Sequence, residues 1–315
     1  MTRQAPSVTI SRDILSGIAI CMLIFVSTLY LPIIGFFVTC LLPQPVLFYR
    51  LKLGRRLGAV VPAAVIVIIS IVSPGVTVDL FFCFALLLTG YVLGEFLEQK
   101  ISIEKSIGYT VGTTLGVSFL LLVMYTMSTG QSLLTVVSDY VAKNLEFSLH
   151  IYSQMGLSEE KAGLISSKLD LIGYYLTRML PGLITVMLSV ITWLNTLFIR
   201  KILRKKGIDF SWLGVLNRWK TVDHLVWAVI LFILLALVPH RGAVLLGCNA
   251  LMVLMMVYFF QGMAVLAFYF DKKGFPDLLR FFFYSLLVIQ QVLVLLVVAL
   301  GFFDTWLNFR KLEKE

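Results

Sequence analysis

Charged residues make up only 14% of this 315-residue chain, against the roughly 25% that a soluble domain needs for its surface. A large water-facing surface is therefore excluded. Histidine is nearly absent, and His150, His224 and His240 show no H-E-x-x-H or other ligand spacing. No G-x-S-x-G and no G-x-x-x-x-G-K-[ST] occurs either, so neither a zinc hydrolase, a serine hydrolase elbow nor a nucleotide-binding loop is written in the chain. An enzyme is not expected, nor a metal or cofactor; if transport requires ATP, another subunit supplies it. Cys21, Cys40, Cys83 and Cys248 all fall in apolar stretches without C-x-x-C or Cys/His spacing. They read as small packing residues rather than a disulfide framework.

What is abundant is apolar side chain, at 59% of residues and a mean hydropathy of +0.96. It is grouped into continuous runs of about 17 to 28 residues, long enough as helices to cross a hydrocarbon core of roughly 30 Å. The backbone has no water partner in that core, so such runs must be helical. A barrel would show short alternating segments instead. The fold class expected is all-α, a polytopic transmembrane helical bundle of eight or nine spans. They are placed near 14–30, 31–49, 58–73, 80–97, 107–128, 172–198, 222–239, 243–270 and 280–303. Tyr30-Leu31-Pro32 is either a tight turn between two helices or a kink in one helix that ends near Leu42, before Pro43-Gln44-Pro45. Arg3 and Arg12 precede the first run without a small-residue cleavage signature, so that run is expected to stay as an anchor.

The net charge is +9, which in a soluble protein would suggest nucleic acid. Here the basic residues cluster beside apolar runs, as in loops retained in the cytoplasm, and no nucleic acid partner is expected. Arg50, Lys52, Arg55 and Arg56 mark one such loop, and Arg200, Lys201, Arg204, Lys205, Lys206, Arg218 and Lys220 another. The connection SPGVTVD at 73–79 then lies outside and Lys272 with Lys273 inside. Counting onward places the C-terminus outside, against the signs of Arg310, Lys311 and Lys314. Three regions are expected: N-terminal membrane helices at 1–128, an extracytoplasmic hairpin of two short helices at 129–171, and C-terminal membrane helices at 172–315. In the hairpin, Val137, Val141, Leu145, Leu149 and Tyr152 recur near helical spacing, and Ser158-Glu159-Glu160 reads as a helix start.

Glycine recurs at every fourth position in GYTVGTTLG, as Gly108, Gly112 and Gly116, with Gly90 and Gly94 in the preceding run. In lipid such a stripe lets helix backbones approach closely, either within the bundle or against a partner. Ionisable and amide groups inside the runs are the other signal, because burying them in lipid is costly. Arg178 precedes Pro181-Gly182, which loosens its helix. Asp79 lies at similar outer depth and is its expected partner, either as an outer polar site or as a structural ion pair. Gln261, Gln290 and Gln291 fall at midplane, where amides bind a polar solute or bond between helices. Asn195 and Asn249 allow the same two uses.

Four stretches carry a family resemblance: 31–58 (LPIIGFFVTCLLPQPVLFYRLKLGRRLG), 180–182 (LPG) with Trp193-Leu194-Asn195, 258–270 (YFFQGMAVLAFYF) and 300–311 (LGFFDTWLNFRK). In order and spacing they resemble the YybS-like family of uncharacterised bacterial membrane proteins. The resemblance implies a multi-pass protein of the bacterial cytoplasmic membrane. The basic Gly-Arg-Arg-x-Gly turn is also similar to substrate-binding S components of energy-coupling factor transporters, which have about six spans. That similarity implies solute binding and docking on transporter subunits. The alternative is a membrane scaffold or assembly partner without a solute, acting through the lipid bilayer and another membrane protein.

Overall fold

The computed structural model describes residues 7–72, 78–154, 168–205 and 216–311. Apart from turns and a 3-10 segment at Leu216–Arg218 they are α-helical, and no strand occurs among them. Among the described residues, five helices are long and apolar enough to cross a membrane: Ile10–Thr28, Val78–Glu98, Ile103–Thr129, Leu169–Arg204 and Arg241–Lys272. Two further pairs reach that length only together, across bends of 87° (Phe37–Gly58 with Val60–Val72) and 108° (Asp277–Ile289 with Gln291–Leu307), and Leu225–Leu237 is a shorter apolar helix. The chain divides into two compact units, Met1–Thr177 with Met187–Trp212, and Arg178–Val186 with Leu213–Glu315.

The first unit contains α1 (Ser7–Tyr30), α2 (Pro32–Thr39), α3 (Pro43–Gly58), α4 (Val60–Val72), α5 (Val78–Glu98), α6 (Ile103–Thr129), α7 (Leu133–Gln154) and most of α8 (Leu169–Lys205). Tyr30-Leu31-Pro32 is the tight turn: Thr28 and Thr39 hydroxyls meet at 2.7 Å, so α2 doubles back on α1. Pro32 and Pro43 each open a helix, where the missing N–H costs nothing. Cys21, Leu42, Val46, Val61, Val65, Ile69, Leu86 and Leu87 form the core. Asn195 takes the interhelical use, donating at 2.9 Å to the Cys40 carbonyl and 2.8 Å to Ile191 of its own helix.

Two expectations are corrected here. The basic stretch from Arg50 to Arg56 is not a loop; it is part of α3, kinked at Gly54, whose φ of 81° suits glycine. Arg50 is fully buried, its Nη2 donating at 2.7 Å to both Glu95 and Glu98. Those carboxylates neutralise a cation that would otherwise hold the chain at the surface. The stretch 129–171 does not start with a short helix, because α7 runs unbroken for 22 residues. Ser158-Glu159-Glu160 and most of SPGVTVD lie outside the described residues.

The second unit contains Arg178–Val186 of α8, α9 (Leu225–Leu237), α10 (Arg241–Lys272), α11 (Asp277–Ile289) and α12 (Gln291–Leu307). Val226, Val229, Leu254 and Tyr258 form its core. Gly247 of α10 lies against the backbone of Phe232 and Ala236 in α9. In α8 the Asn249 amide bridges two groups that pair with each other in an uninterrupted helix: Nδ2 donates to the Arg178 carbonyl at 3.0 Å, and Oδ1 accepts from the Gly182 N–H at 2.7 Å. The Pro181-Gly182 step is thereby stabilised from outside its own helix.

The run 280–303 is not one crossing span. It is α11 and α12, broken at Gln290 (φ −106°, ψ 97°). Gly262 of α10 meets Gly301 of α12, and further along both chains the Tyr269 hydroxyl donates to the Phe309 carbonyl at 2.9 Å. Helices α10 and α12 therefore run in the same direction, and α11 must carry the chain back between them. With 13 residues it extends roughly 20 Å, short of the roughly 30 Å a crossing requires. The pair is a re-entrant hairpin. Its two ends are tied on one side: Arg280 at the start of α11 pairs with Asp271 at 2.5 Å. Beyond α12, Arg310 donates to the carbonyls of Asn217 and Trp219 at 3.0 and 2.8 Å. Asn217 in turn donates to Asp271 at 2.6 Å. Arg310 thus shares the side of Arg218, Lys220 and Lys272, which corrects the outside placement of the C-terminus. The miscount came from treating a returning hairpin as a crossing.

Candidate functional site

The α10–α12 seam is built on glycine. A Cβ on Gly301 would lie 2.6 Å from the Gly262 nitrogen and collide with the Tyr258 carbonyl; one on Gly262 would collide with the Val297 carbonyl. Backbone contact of this kind brings Gln261 and Asp304 together although both are buried, at 0% and 1% exposure. Asp304 Oδ2 accepts from Gln261 Nε2 at 3.1 Å and from Arg310 Nη2 at 2.7 Å, while Gln261 Oε1 accepts from the Thr221 N–H at 3.3 Å. Charges so placed persist only when paired and hydrogen-bonded, and here both conditions hold. Asp304 Oδ1, Asn217 Oδ1 and Arg310 Nε have no hydrogen-bond partner among the described residues.

Gln290 and Gln291 occupy the tip of the hairpin and are exposed, between Val288, Ile289 and Val292, which are exposed as well. Two amides and a broken helical backbone thus stand at the end of an otherwise apolar element. Of the residues the sequence singled out, Gln261, Gln290 and Gln291 belong to this one structure, α10 with its hairpin. Gln261 bonds between elements, as a structural amide does, and the other two face outward.

Asp79 and Arg178 fall in different units. Asp79 Oδ1 accepts at 2.7 Å from the hydroxyl of Tyr140 on α7. Burial first, and then this carboxylate, push the Tyr140 phenol up to about 12, so it remains a donor throughout the physiological range. Arg178 is described within its unit by its carbonyl, held by Asn249.

The five glycines separate into two groups. Gly90 packs on the Pro43 carbonyl and Gly94 on the Arg50 side chain, its added Cβ lying 2.6 Å from Arg50 Cγ. Gly108, Gly112 and Gly116 have open space where a Cβ would stand. No described atom lies within 4 Å of that position in any of the three, unlike the close backbone and side-chain contacts of Gly90 and Gly94. Asp304 was not among the residues the sequence singled out, and Arg310 entered there only as a basic residue near the C-terminus. The available signal was an aspartate at the end of an apolar run, in FFDTWL, with an arginine shortly after it. Nothing local indicated that either would be buried.

A family described as "Predicted membrane protein (DUF2232)" matches residues 19–305. The "Uncharacterized protein YybS" of Bacillus subtilis (strain 168) is 23% identical over 313 residues, covering 96% of this chain and 99% of that protein. No solved structure matches.

Proposed function

The chain belongs to the DUF2232 family of membrane proteins, and from that premise we propose that it binds a small polar solute within the bilayer, at the α11–α12 hairpin. The observation that carries the reading is the exposed, broken backbone at Gln290-Gln291. The joint, turned by 108°, lies between two apolar helices of 13 and 17 residues, and this puts it within the hydrocarbon core rather than at its surface. Non-helical backbone at that depth is tolerated where it lines a water-filled cavity or is covered by protein. Discontinuous helices with polar tips are how many transporters hold solutes at midplane. The Asp304–Arg310 pair with Gln261 fixes α12 so that the tip keeps its place. The protein acts in the bacterial cytoplasmic membrane, by binding rather than by catalysis, with its C-terminus inside.

The test is to replace the four cysteines, introduce Gln291→Cys, and treat intact vesicles with a membrane-impermeant thiol reagent. Native mass spectrometry of the gently purified protein is run beside it. Labelling at 291 and a bound small molecule that is lost in Gln291→Leu are expected. An unlabelled, ligand-free protein refutes the reading.

The open glycine face of α6 supports a second reading, that of an assembly partner. Glycine at every fourth position, with nothing against it, is the surface a helix of another membrane protein packs on. Gly112→Leu would then abolish a stoichiometric co-purifying membrane protein and leave Gln291 labelling unchanged. No such protein, or one retained in the variant, rejects it.

A further inference from the structure

The first unit spends its acids on its inner cations and leaves its outer cations unmatched. Arg50 takes Glu95 and Glu98, Lys52 takes Asp13 at 2.6 Å, and Arg55 stands 3.5 Å from Glu95. Arg56, Lys100, Lys105, Lys201 and Arg204 are exposed and have no ion pair among the described residues. These cations share one end of the unit. Arg50 joins α3 to the last turn of α5, and α6 starts just beyond it, with Phe96 of α5 against Tyr109 of α6 at 5.5 Å. At the opposite end Tyr140 of α7 meets Asp79, and a Cβ on Gly173 of α8 would lie 3.7 Å from Leu145 of α7. Helix α8 therefore starts there and crosses back to finish at Lys201 and Arg204. The excess of base marks the shared end as cytoplasmic. Lys100 is held there with φ of 56°, a left-handed conformation that costs a residue with a side chain, and its ammonium has no partner among the described residues to repay it.

We propose that the α5–α6 turn binds an anionic phospholipid of the inner leaflet, with the phosphate on Lys100 and Lys105 and an acyl chain laid along α6. The inference rests on neither reading above. Unmatched lysines beside a membrane attract anionic headgroups, each by roughly a factor of five in affinity. The start of α6 adds donors: its N-cap Ser102 makes no side-chain capping bond, and the Ser102 hydroxyl has no partner among the described residues, so the first-turn N–H groups are free for an anion. Lys105, Gly108, Gly112 and Gly116 follow one another at helical spacing and are all exposed, so they share a face. The three glycines form a trough on that face, with no described atom within 4 Å of where a Cβ would stand. From Lys105 to Gly116 it runs roughly 16 Å, about half of a hydrocarbon core and hence the depth of one leaflet. Beyond it Phe119 and Leu120 are exposed and restore bulk, while Tyr109, 53% exposed, stands at its foot, where an amphipathic ring suits the headgroup level. A helix covering this foot would have to desolvate Lys105 without offering it a counter-charge; a phospholipid brings its own.

The experiment titrates the full chain, purified and delipidated in detergent, with phosphatidylglycerol or with phosphatidylcholine of the same acyl chains, and counts retained lipids by native mass spectrometry. Phosphatidylglycerol is expected to bind more tightly, and its affinity to fall as ionic strength rises. The double variant Lys100→Gln/Lys105→Gln should weaken the first-bound phosphatidylglycerol roughly thirtyfold, the product of two such factors. Lys201→Gln/Arg204→Gln should leave that lipid in place, and Gly112→Leu, which fills the trough, should weaken it. Equal binding of the two lipids, or an affinity for phosphatidylglycerol that salt does not change, overturns the proposal on the parent protein alone, whether or not any variant folds. An unchanged affinity in the Lys100/Lys105 variant overturns it as well. So does a membrane protein that co-purifies with the parent and is lost in Gly112→Leu while the phosphatidylglycerol stays bound, since the face would then belong to a helix.

Discussion

Replacing Asp304 alone should damage the protein more than replacing both members of its ion pair. Asp304 and Arg310 have side-chain exposures of 1% and 0% and stand 2.7 Å apart. Asp304→Leu leaves the Arg310 guanidinium buried beside the carbonyls of Asn217 and Trp219 with its charge uncompensated. Removing one partner of such a pair costs about 3–5 kcal/mol. The double variant Asp304→Leu/Arg310→Met has no charge to strand and fills similar volume, so it should recover to within about 2 kcal/mol of the parent. For a chain of this size 1 kcal/mol corresponds to roughly 2–4 °C, so the single variant should lose on the order of 10 °C of apparent melting temperature and the double less than half of that. The assay is a thermal scan of purified protein in one detergent at a fixed heating rate, because irreversible unfolding makes the midpoint depend on scan rate. Additive losses, with the double variant the least stable, would refute the reasoning and show that Arg310 finds water or another anion when Asp304 is removed.

The glycines offer a contrast between seam and open face. Gly301→Ala must push α12 off the Tyr258 carbonyl and should cost about 1–3 kcal/mol, whereas Gly112→Ala, with nothing within 4 Å, should be neutral or stabilising by up to about 1 kcal/mol; thermal scans of the two variants check both signs. Asn249→Ala removes two hydrogen bonds from the Pro181-Gly182 step, but the Gly182 N–H can turn to the Arg178 carbonyl, so a loss of only about 1 kcal/mol is expected, and a fall above about 3 kcal/mol would mean that α8 cannot close there. A fluorescent protein fused after the last residue should fold and fluoresce, because Arg310 lies on the side of the basic stretch; an active periplasmic phosphatase at the same position would restore the crossing span.

Much of this protein was legible in the chain. Apolar runs of spanning length dictate helices wherever no water competes for the backbone, so the all-helical class and the places of α5, α6, α8 and α10 followed from composition and length. Pro32 and Pro43 begin helices because proline lacks an N–H, which local chemistry alone requires. Gln261, Gln290 and Gln291 were conspicuous because amides are rare in such runs. What a linear reading could not supply was which polar groups meet. Arg50 read as a surface cation until Glu95 and Glu98, more than forty positions away in the chain, were placed against it. The run 280–303 had the hydropathy of a crossing helix, and only the parallel contacts of Gly262 with Gly301 and Tyr269 with Phe309 revealed that α11 turns back. Spacing showed that Gly108, Gly112 and Gly116 share a face; it could not show that the face is open while Gly262 and Gly301, which form no stripe, close the tightest seam. Helix formation is decided within a few residues by backbone hydrogen bonds, and the sequence determines it directly. Direction of return, burial of charge and the use of each glycine depend on residues distant in the chain, so only the tertiary structure decided them.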